Sequence, residues 1–237
     1  MAQMRLDKFL SELGAASRRE CKALLKSGRV FVNGAPCASP ERKIDPETDE
    51  VALDGEVLRY QRYHYYMMDK PAGVVTATED AEQKTVLDLL PPSLRRLGLF
   101  PVGRLDKDTS GLLLLTNDGD FAHRVISPKN EVEKRYYAKV KGVPDEEDAA
   151  AFALGLVLGD GTRCRPAGLE CTGREDCYVR VTEGKYHQVK RMLAARGKPV
   201  TELRRLSIGG LLLDETLGPA GLRELTKEDL CTLFMGK

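Results

Sequence analysis

Three charged residues, Arg104, Asp106 and Asp108, occupy every second position in the stretch GRLDKDTSGLLLLTNDG, Gly103 to Gly119. On an extended backbone that spacing turns all three side chains to one side. Charges gathered this way must be solvated, paired or put to chemical use. The two carboxylates suit four arrangements: an acid and nucleophile pair of the glycosidase kind, magnesium ligands, a single nucleophile with a structural neighbour, or plain loop capping. Spacing does not choose among them, and Asp106 is the candidate for chemistry.

Two further groups bear on the choice. From Lys185 to Arg205 there are seven basic residues (Lys185, Lys190, Arg191, Arg196, Lys198, Arg204, Arg205) against one acid, Glu202. The cluster reads as a solvated helix face or as a surface for a phosphate-rich substrate, and it can supply the cation that a buried aspartate needs to stay ionised. Tyr136 sits beside Lys134 and Arg135. It reads as a sheet tyrosine or as an aromatic able to stack on a base.

The elements that must hold these residues are legible in outline. Leu112 to Leu115 is an unbroken aliphatic run, which predicts a short buried strand anchoring the polar loop before it. Glu133 to Val140 is strand-like, with Tyr136, Ala138 and Val140 on one face and Tyr137 on the other. Val189, Met192 and Leu193 form a helical stripe that Gly197 can stop. Tyr65 to Met68, Tyr178 to Val181, Leu203 to Ile208, Leu211 to Leu213 and Leu222 to Leu225 predict further strands. Helices are expected after Thr85 as far as Pro91-Pro92, over Phe121 to Ile126, over Asp145 to Leu156, and from the Thr226/Asp229 cap onward. Lys70-Pro71-Ala72-Gly73 reads as a turn. Without a regular βαβ rhythm, the pattern is α+β with a mixed sheet.

The first sixty residues read as a separate small module. Leu6, Phe9, Leu10 and Leu13 make a helical stripe ended by Gly14, and Ser17 with Glu20 opens a second helix ending near Gly28. Val30 to Val32 with Asn33-Gly34, and Val51 to Val57 around Asp54-Gly55, signal hairpins. Met4 to Asn33 carries seven basic against three acidic residues, whereas Gly34 to Tyr60 carries three against seven. Such polarity fits two solvated helices or a phosphate-binding face better than the net charge of +1 suggests.

Composition excludes several classes. The chain has 237 residues, 42% hydrophobic, and no apolar run of membrane-spanning length; its first residues lack a signal-peptide core, so a cytoplasmic protein without a membrane partner is expected. Six cysteines without a CxxC spacing read as reduced thiols, with no metal site. Nucleotide-cofactor loops and the HExxH and GxSxG signatures are absent.

RLDKFLSELGAASRRECKALLKSGRVFVNG resembles the S4-type RNA-binding domain, in which two helices and the following turn grip structured RNA. The resemblance puts Arg5, Lys8, Ser17, Arg18, Arg19, Lys22 and Asn33 at RNA-binding positions. GRLDKDTSGLLLLTNDG, with KPAGV before it and EKRYYAKV and GKYHQVKRML after it, is similar to the motif set of the RsuA branch of pseudouridine synthases, which modify ribosomal RNA. It covers nearly the whole chain. It implies a pseudouridine synthase fold, a mixed and mostly antiparallel sheet flanked by helices over residues 61–237, preceded by a small α+β S4-type domain over 1–60.

The same resemblance implies site roles. Asp106 would be the catalytic aspartate, Lys190 its basic partner (many relatives carry Arg there), and Tyr136 the tyrosine that packs on the target uracil. Arg104 and Arg191 would bind the substrate nucleotide. Asp108 is left to the loop, and His187 is given no proton-transfer role. The isomerisation loses no atom, so no cofactor or metal is expected. VTATEDAEQKTVLDLLP and YHQVKRM look most like enzymes acting on one uridine of 16S rRNA. The expected partner is ribosomal RNA in a small-subunit assembly intermediate, met by a monomer. A 23S rRNA target, or a non-catalytic RNA-binding assembly protein, are the alternatives.

Overall fold

The computed structural model describes residues 3–235, the side chain of Arg18 excepted. The chain divides into two compact units, one running to Tyr63 and including Pro91–Gly98, the other made of His64–Leu90 and the chain from Leu99 onward.

In the first unit, β1 (Met4–Arg5) leads into α1 (Leu6–Glu12), whose buried Leu6, Phe9 and Leu10 are the stripe expected from their spacing. A capping box opens α2 (Arg18–Lys26): Glu20 N–H donates to Ser17 Oγ at 3.3 Å, and Ser17 N–H donates to the Glu20 carboxylate at 2.8 Å. Then β2 (Val30–Val32), β3 (Ala35–Pro36), β4 (Lys43–Ile44), β5 (Val51–Leu53) and β6 (Glu56–Leu58) follow. The antiparallel sheet β3-β2-β5-β6 turns at Asn33 and Asp54, which adopt φ of 52° and 53° before their glycines, the left-handed geometry of tight hairpins. Phe9, Cys21, Leu25, Val30 and Val51 share the core of this unit. Its last helix is α3 (Pro92–Arg95). Pro91-Pro92 was expected to stop a helix, yet Pro92 starts one, because the first helical position needs no N–H; before it only a single 3₁₀ turn forms, Leu87–Leu89.

The second unit is built on a nine-stranded sheet. Its elements are β7 (Tyr65–Lys70), β8 (Phe100–Val102), β9 (Thr109–Thr116), α4 (Gly119–Ile126), β10 (Lys134–Val140), α5 (Glu146–Leu154), β11 (Gly168–Arg174), β12 (Asp176–Val181), α6 (Gln188–Ala195), β13 (Val200–Ile208), β14 (Leu211–Leu212), β15 (Leu222–Glu224) and α7 (Lys227–Leu233). The order is β11-β12-β10-β13-β9-β7-β15, with β14 on β13 and β8 on β9. Among the described pairings of this sheet, β9 with β13 alone is parallel. The sheet is therefore mixed and mostly antiparallel, as expected. Leu112 to Leu115 are fully buried in mid-sheet, which is why that strand shows no apolar/polar alternation.

One core gathers around β9, α4 and α7; a second lies between β10, β12 and α6. At the parallel junction Gly111 pairs with Arg205 and takes φ of 102°. A Cβ there would stand 2.2 Å from the Arg205 carbonyl oxygen, so only glycine lets β9 and β13 approach. Among the described residues no helix is long and apolar enough to cross a membrane.

Candidate active site

The chain bends at Gly103 and turns over Asp106–Thr109 rather than running extended into β9. Gly103 has φ of 75°, and Thr109 N–H donates back to the Asp106 carbonyl at 3.1 Å. Alternation therefore does not apply: Asp106 and Asp108 come together because the chain bends, and Leu105, just before Asp106, is buried. The Asp106 side chain is 27% exposed and that of Asp108 75%.

Two buried side chains fix this turn from below. Lys70, the last residue of β7, is 0% exposed, and its ammonium donates to the carbonyls of Pro71 (3.0 Å), Asp106 (3.2 Å), Lys107 (3.5 Å) and Thr109 (2.9 Å). Burial pushes the Lys70 ammonium down to about 8, with Asp108 and Asp106 opposing. Thr76 Oγ1 donates to the Leu105 carbonyl at 2.7 Å and accepts from Leu105 N–H at 3.2 Å. Both neighbours of Asp106 are thus held through their backbones, and so is its own carbonyl.

The cation comes from α6. Lys190 Nζ lies 2.9 Å from Asp106 Oδ2 and 2.5 Å from Asp108 Oδ1. Burial works against the Lys190 charge, but the hydrogen bonds to Asp108 and Asp106 outweigh it and hold the group above its ordinary range. The same bond from Lys190 holds Asp108 below the usual carboxylate range. Asp108 therefore shares the cation that the family resemblance gave to Asp106 alone. His187, in the left-handed conformation at the start of α6, places Nε2 3.5 Å from Asp106 Oδ1.

Asp106 and His187 border a cleft of about 970 Å³, which Arg104, Tyr136 and Arg205 also line. Tyr136 enters from β10, opposite Val179 of β12 and Arg205 of β13. Arg205 is 4% exposed; its Nε donates to the Leu112 carbonyl at 2.7 Å, tying β13 to β9 beneath the site. Arg104 is exposed at the cleft. Arg191 is not brought into this constellation: its guanidinium pairs with Asp160 at 2.6 Å and donates to the Tyr186 carbonyl at 3.3 Å. Sequence reasoning gave Thr76 no site role, counted Arg205 only as one of the basic cluster from Lys185 onward, and read Lys70 as part of a turn. The signal that existed was KPAGV, whose lysine is the brace.

In the first unit the expected RNA-binding set separates by what each residue is doing. Ser17 is engaged in the cap of α2. Asn33 Nδ2 donates to Asp49 at 2.8 Å and Asn33 Oδ1 accepts from Glu50 N–H at 2.8 Å, tying the β2/β3 turn to the residues that lead into β5. Arg5 forks onto Asp7, with Nε and Nη2 at 3.1 and 2.8 Å, and Lys8 lies 3.6 Å from Glu12. Arg19 and Lys22 are exposed one turn apart on α2. The Arg18 side chain lies outside the described residues.

The chain matches the model of the RNA pseudouridylate synthase family over residues 64–195 and that of the S4 domain over residues 4–58. An "Uncharacterized RNA pseudouridine synthase YtzG" from Bacillus subtilis is 47% identical, over 96% of this chain and 97% of its own length. "Ribosomal small subunit pseudouridine synthase A" is 41% identical in Vibrio cholerae, over 98% of this chain and all of the relative, and 39% identical in Escherichia coli K12, over 97% and all of the relative. A solved pseudouridylate synthase structure aligns with a TM-score of 0.68 at 36% identity, covering 97% of this chain and 99% of that one.

Proposed function

The chain belongs to the RNA pseudouridylate synthase family, and from that premise we propose that it isomerises one uridine of small-subunit (16S) ribosomal RNA to pseudouridine. In this reading residues 1–60 form an RNA-binding domain and 61–237 the catalytic domain. The reaction cuts the bond from uracil N1 to the ribose, turns the base while it stays bound, and joins C5 to the same sugar carbon. The observation that carries the reading is the Asp106 carboxylate, braced through its backbone on the wall of a cleft, with Lys190 Nζ 2.9 Å away.

Asp106 supplies the reactive carboxylate, whether it attacks the nucleotide or removes a ribose proton. Lys190 balances the charge of Asp106 before reaction. A single ammonium shared with Asp108 makes a looser partner than a bidentate guanidinium and can follow either oxygen of Asp106. Tyr136 covers the uracil face, and its position on the cleft wall suits a proton exchange at C5. Arg104 fills the space the flipped nucleotide leaves. Extruding that nucleotide costs a few kcal/mol, which phosphate contacts of both domains offset. Arg191 acts indirectly, by holding the Tyr186 carbonyl next to His187. The substrate is the RNA of a partly assembled small subunit in the cytoplasm, met by a monomer.

The test is tritium release from small-subunit rRNA labelled at uracil C5. Release by the wild type and none by Asp106→Asn is expected. If purified protein releases no label from free rRNA or assembly intermediates, the reading fails.

A further inference from the structure

The turn that carries His187 also carries a largely exposed aromatic. Tyr186 is 76% exposed. Its ring stacks on the His187 imidazole, centroids 3.8 Å apart and planes 18° from parallel. One face of the tyrosine is therefore covered by histidine, and at such exposure the other is open. Both residues line the cleft, and the histidine is the ring next to Asp106. Tyr186 is thus one ring further out along the same stack.

The platform is also rigid. The buried Glu183 carboxylate accepts from Arg165 N–H and from Gln188 Nε2, both at 2.8 Å, and Gln188 Oε1 accepts in turn from Lys185 N–H at 2.9 Å. Arg191 grips the Tyr186 carbonyl, and Arg191 N–H donates to the His187 carbonyl at 2.9 Å. An exposed tyrosine on a pinned backbone has few conformations to lose when a flat partner lands on it.

Resting on the pseudouridine synthase reading, we propose that the outer face of Tyr186 is a stacking subsite for an unpaired nucleobase, the neighbour of the target uridine in the RNA strand. Flipping one nucleotide deprives its neighbours of a stacking partner, and an aromatic face one ring away from Asp106 replaces it. The subsite accepts any base, since stacking needs only a π-face.

The experiment uses the full chain and the rRNA fragment that releases tritium, made in versions with an abasic residue 5′ or 3′ of the target. Tyr186→Ala should raise KM about five- to a hundredfold with kcat within about threefold, and Tyr186→Phe should stay near wild type. On one of the two abasic substrates the penalty of Tyr186→Ala should vanish. A Tyr186→Ala enzyme with wild-type KM, or one with the same penalty on both abasic substrates, overturns the subsite. Should no fragment turn over, the functional reading fails by itself. The subsite is then decided by binding of a uridine-containing single strand carrying 2-aminopurine beside the uridine: quenching by wild type and Tyr186→Phe but not by Tyr186→Ala supports it, and equal quenching by all three overturns it.

Discussion

The two units hold their functional residues in opposite ways. In the catalytic unit, Asp106 rests on contacts from residues far away in sequence: Lys70 and Thr76 brace its turn, Lys190 faces its carboxylate, and Gly111 admits the strand next to it. In the RNA-binding unit, local contacts prevail: Arg5 pairs with Asp7, Lys8 with Glu12, and Ser17 caps its own helix. A carboxylate that must meet one bond of one nucleotide needs a fixed position. A basic helix that meets phosphates needs only to present charge, and exposed lysines and arginines do so without fixed partners. Substitutions in the catalytic unit should thus act in steps, through geometry, and those in the RNA-binding unit by degrees, through binding.

The largest step is expected at Asp106. Asp106→Asn keeps the backbone contacts of the turn and removes the charge, so activity should fall by about 10⁴-fold or more with thermal unfolding nearly unchanged. A residual rate within tenfold of wild type in the tritium assay would mean that the chemistry lies elsewhere in the cleft.

Gly111→Ala tests whether the fixed position depends on the β9/β13 contact. The new Cβ would collide with the Arg205 carbonyl at a positive φ, and neither backbone can yield without parting the strands. A loss of about 3 kcal/mol is expected, or roughly 6–12 °C in the melting of the catalytic unit. Activity should fall with it. A melting temperature within 2 °C of wild type would show that the junction tolerates separation.

These two residues also mark how far the sequence is legible. The Leu112–Leu115 run announced its strand because burial on both faces leaves an uninterrupted apolar signature. The capping box at Ser17 was equally readable because its partner Glu20 lies three residues on, and the turns at Asn33 and Asp54 because each is followed directly by glycine in a left-handed turn. β8 went unrecognised because it is three residues long and contains Pro101, and β11 because it lies at the edge of the sheet with few buried side chains. Lys70 looked like a turn residue because nothing near it in sequence says that four carbonyls, three of them from residues 106–109, converge on its ammonium. The resemblance left Asp108 to the loop and gave His187 no proton-transfer role; their proximity to Lys190 and Asp106 arises only when α6 packs beside the turn. Resemblance to a family located Asp106 and Lys190 as motif positions, but their shared geometry with Asp108 is a property of the fold.

Lys70→Met should cost about 2 kcal/mol, because carbonyls built around an ammonium lose their donor. The pH dependence sharpens this. With its folded pKa pushed down to about 8 from 10.5, Lys70 is less protonated in the folded than in the unfolded chain between those values. Unfolding then takes up a proton, so this group's contribution to stability rises with pH from about 8 to 10.5. Lys134, also pushed down to about 8 by burial, has the same sign, whereas Cys177, raised by burial to about 12, has the opposite one. The difference between wild-type and Lys70→Met melting curves isolates Lys70, and it should move in favour of wild type as pH rises. A difference that is flat across the window would mean that the carbonyls hold the proton against burial.

The smallest effect belongs to the other unit. Arg19 and Lys22 are exposed on α2, so replacing both with alanine should leave α2 and its capping box intact. If each meets one phosphate, RNA affinity should drop about tenfold at physiological salt, and the slope of log K against log salt should flatten by about 1.4–1.8. At saturating RNA, kcat should match wild type, because neither residue helps to position Asp106. Ser17→Ala gives the contrasting outcome: loss of the cap destabilises α2 by about 1 kcal/mol without removing a charge, so affinity can weaken but the salt slope should not change. If the Arg19/Lys22 double variant lost kcat at saturation, the division between a unit that fixes geometry and a unit that supplies charge would no longer hold.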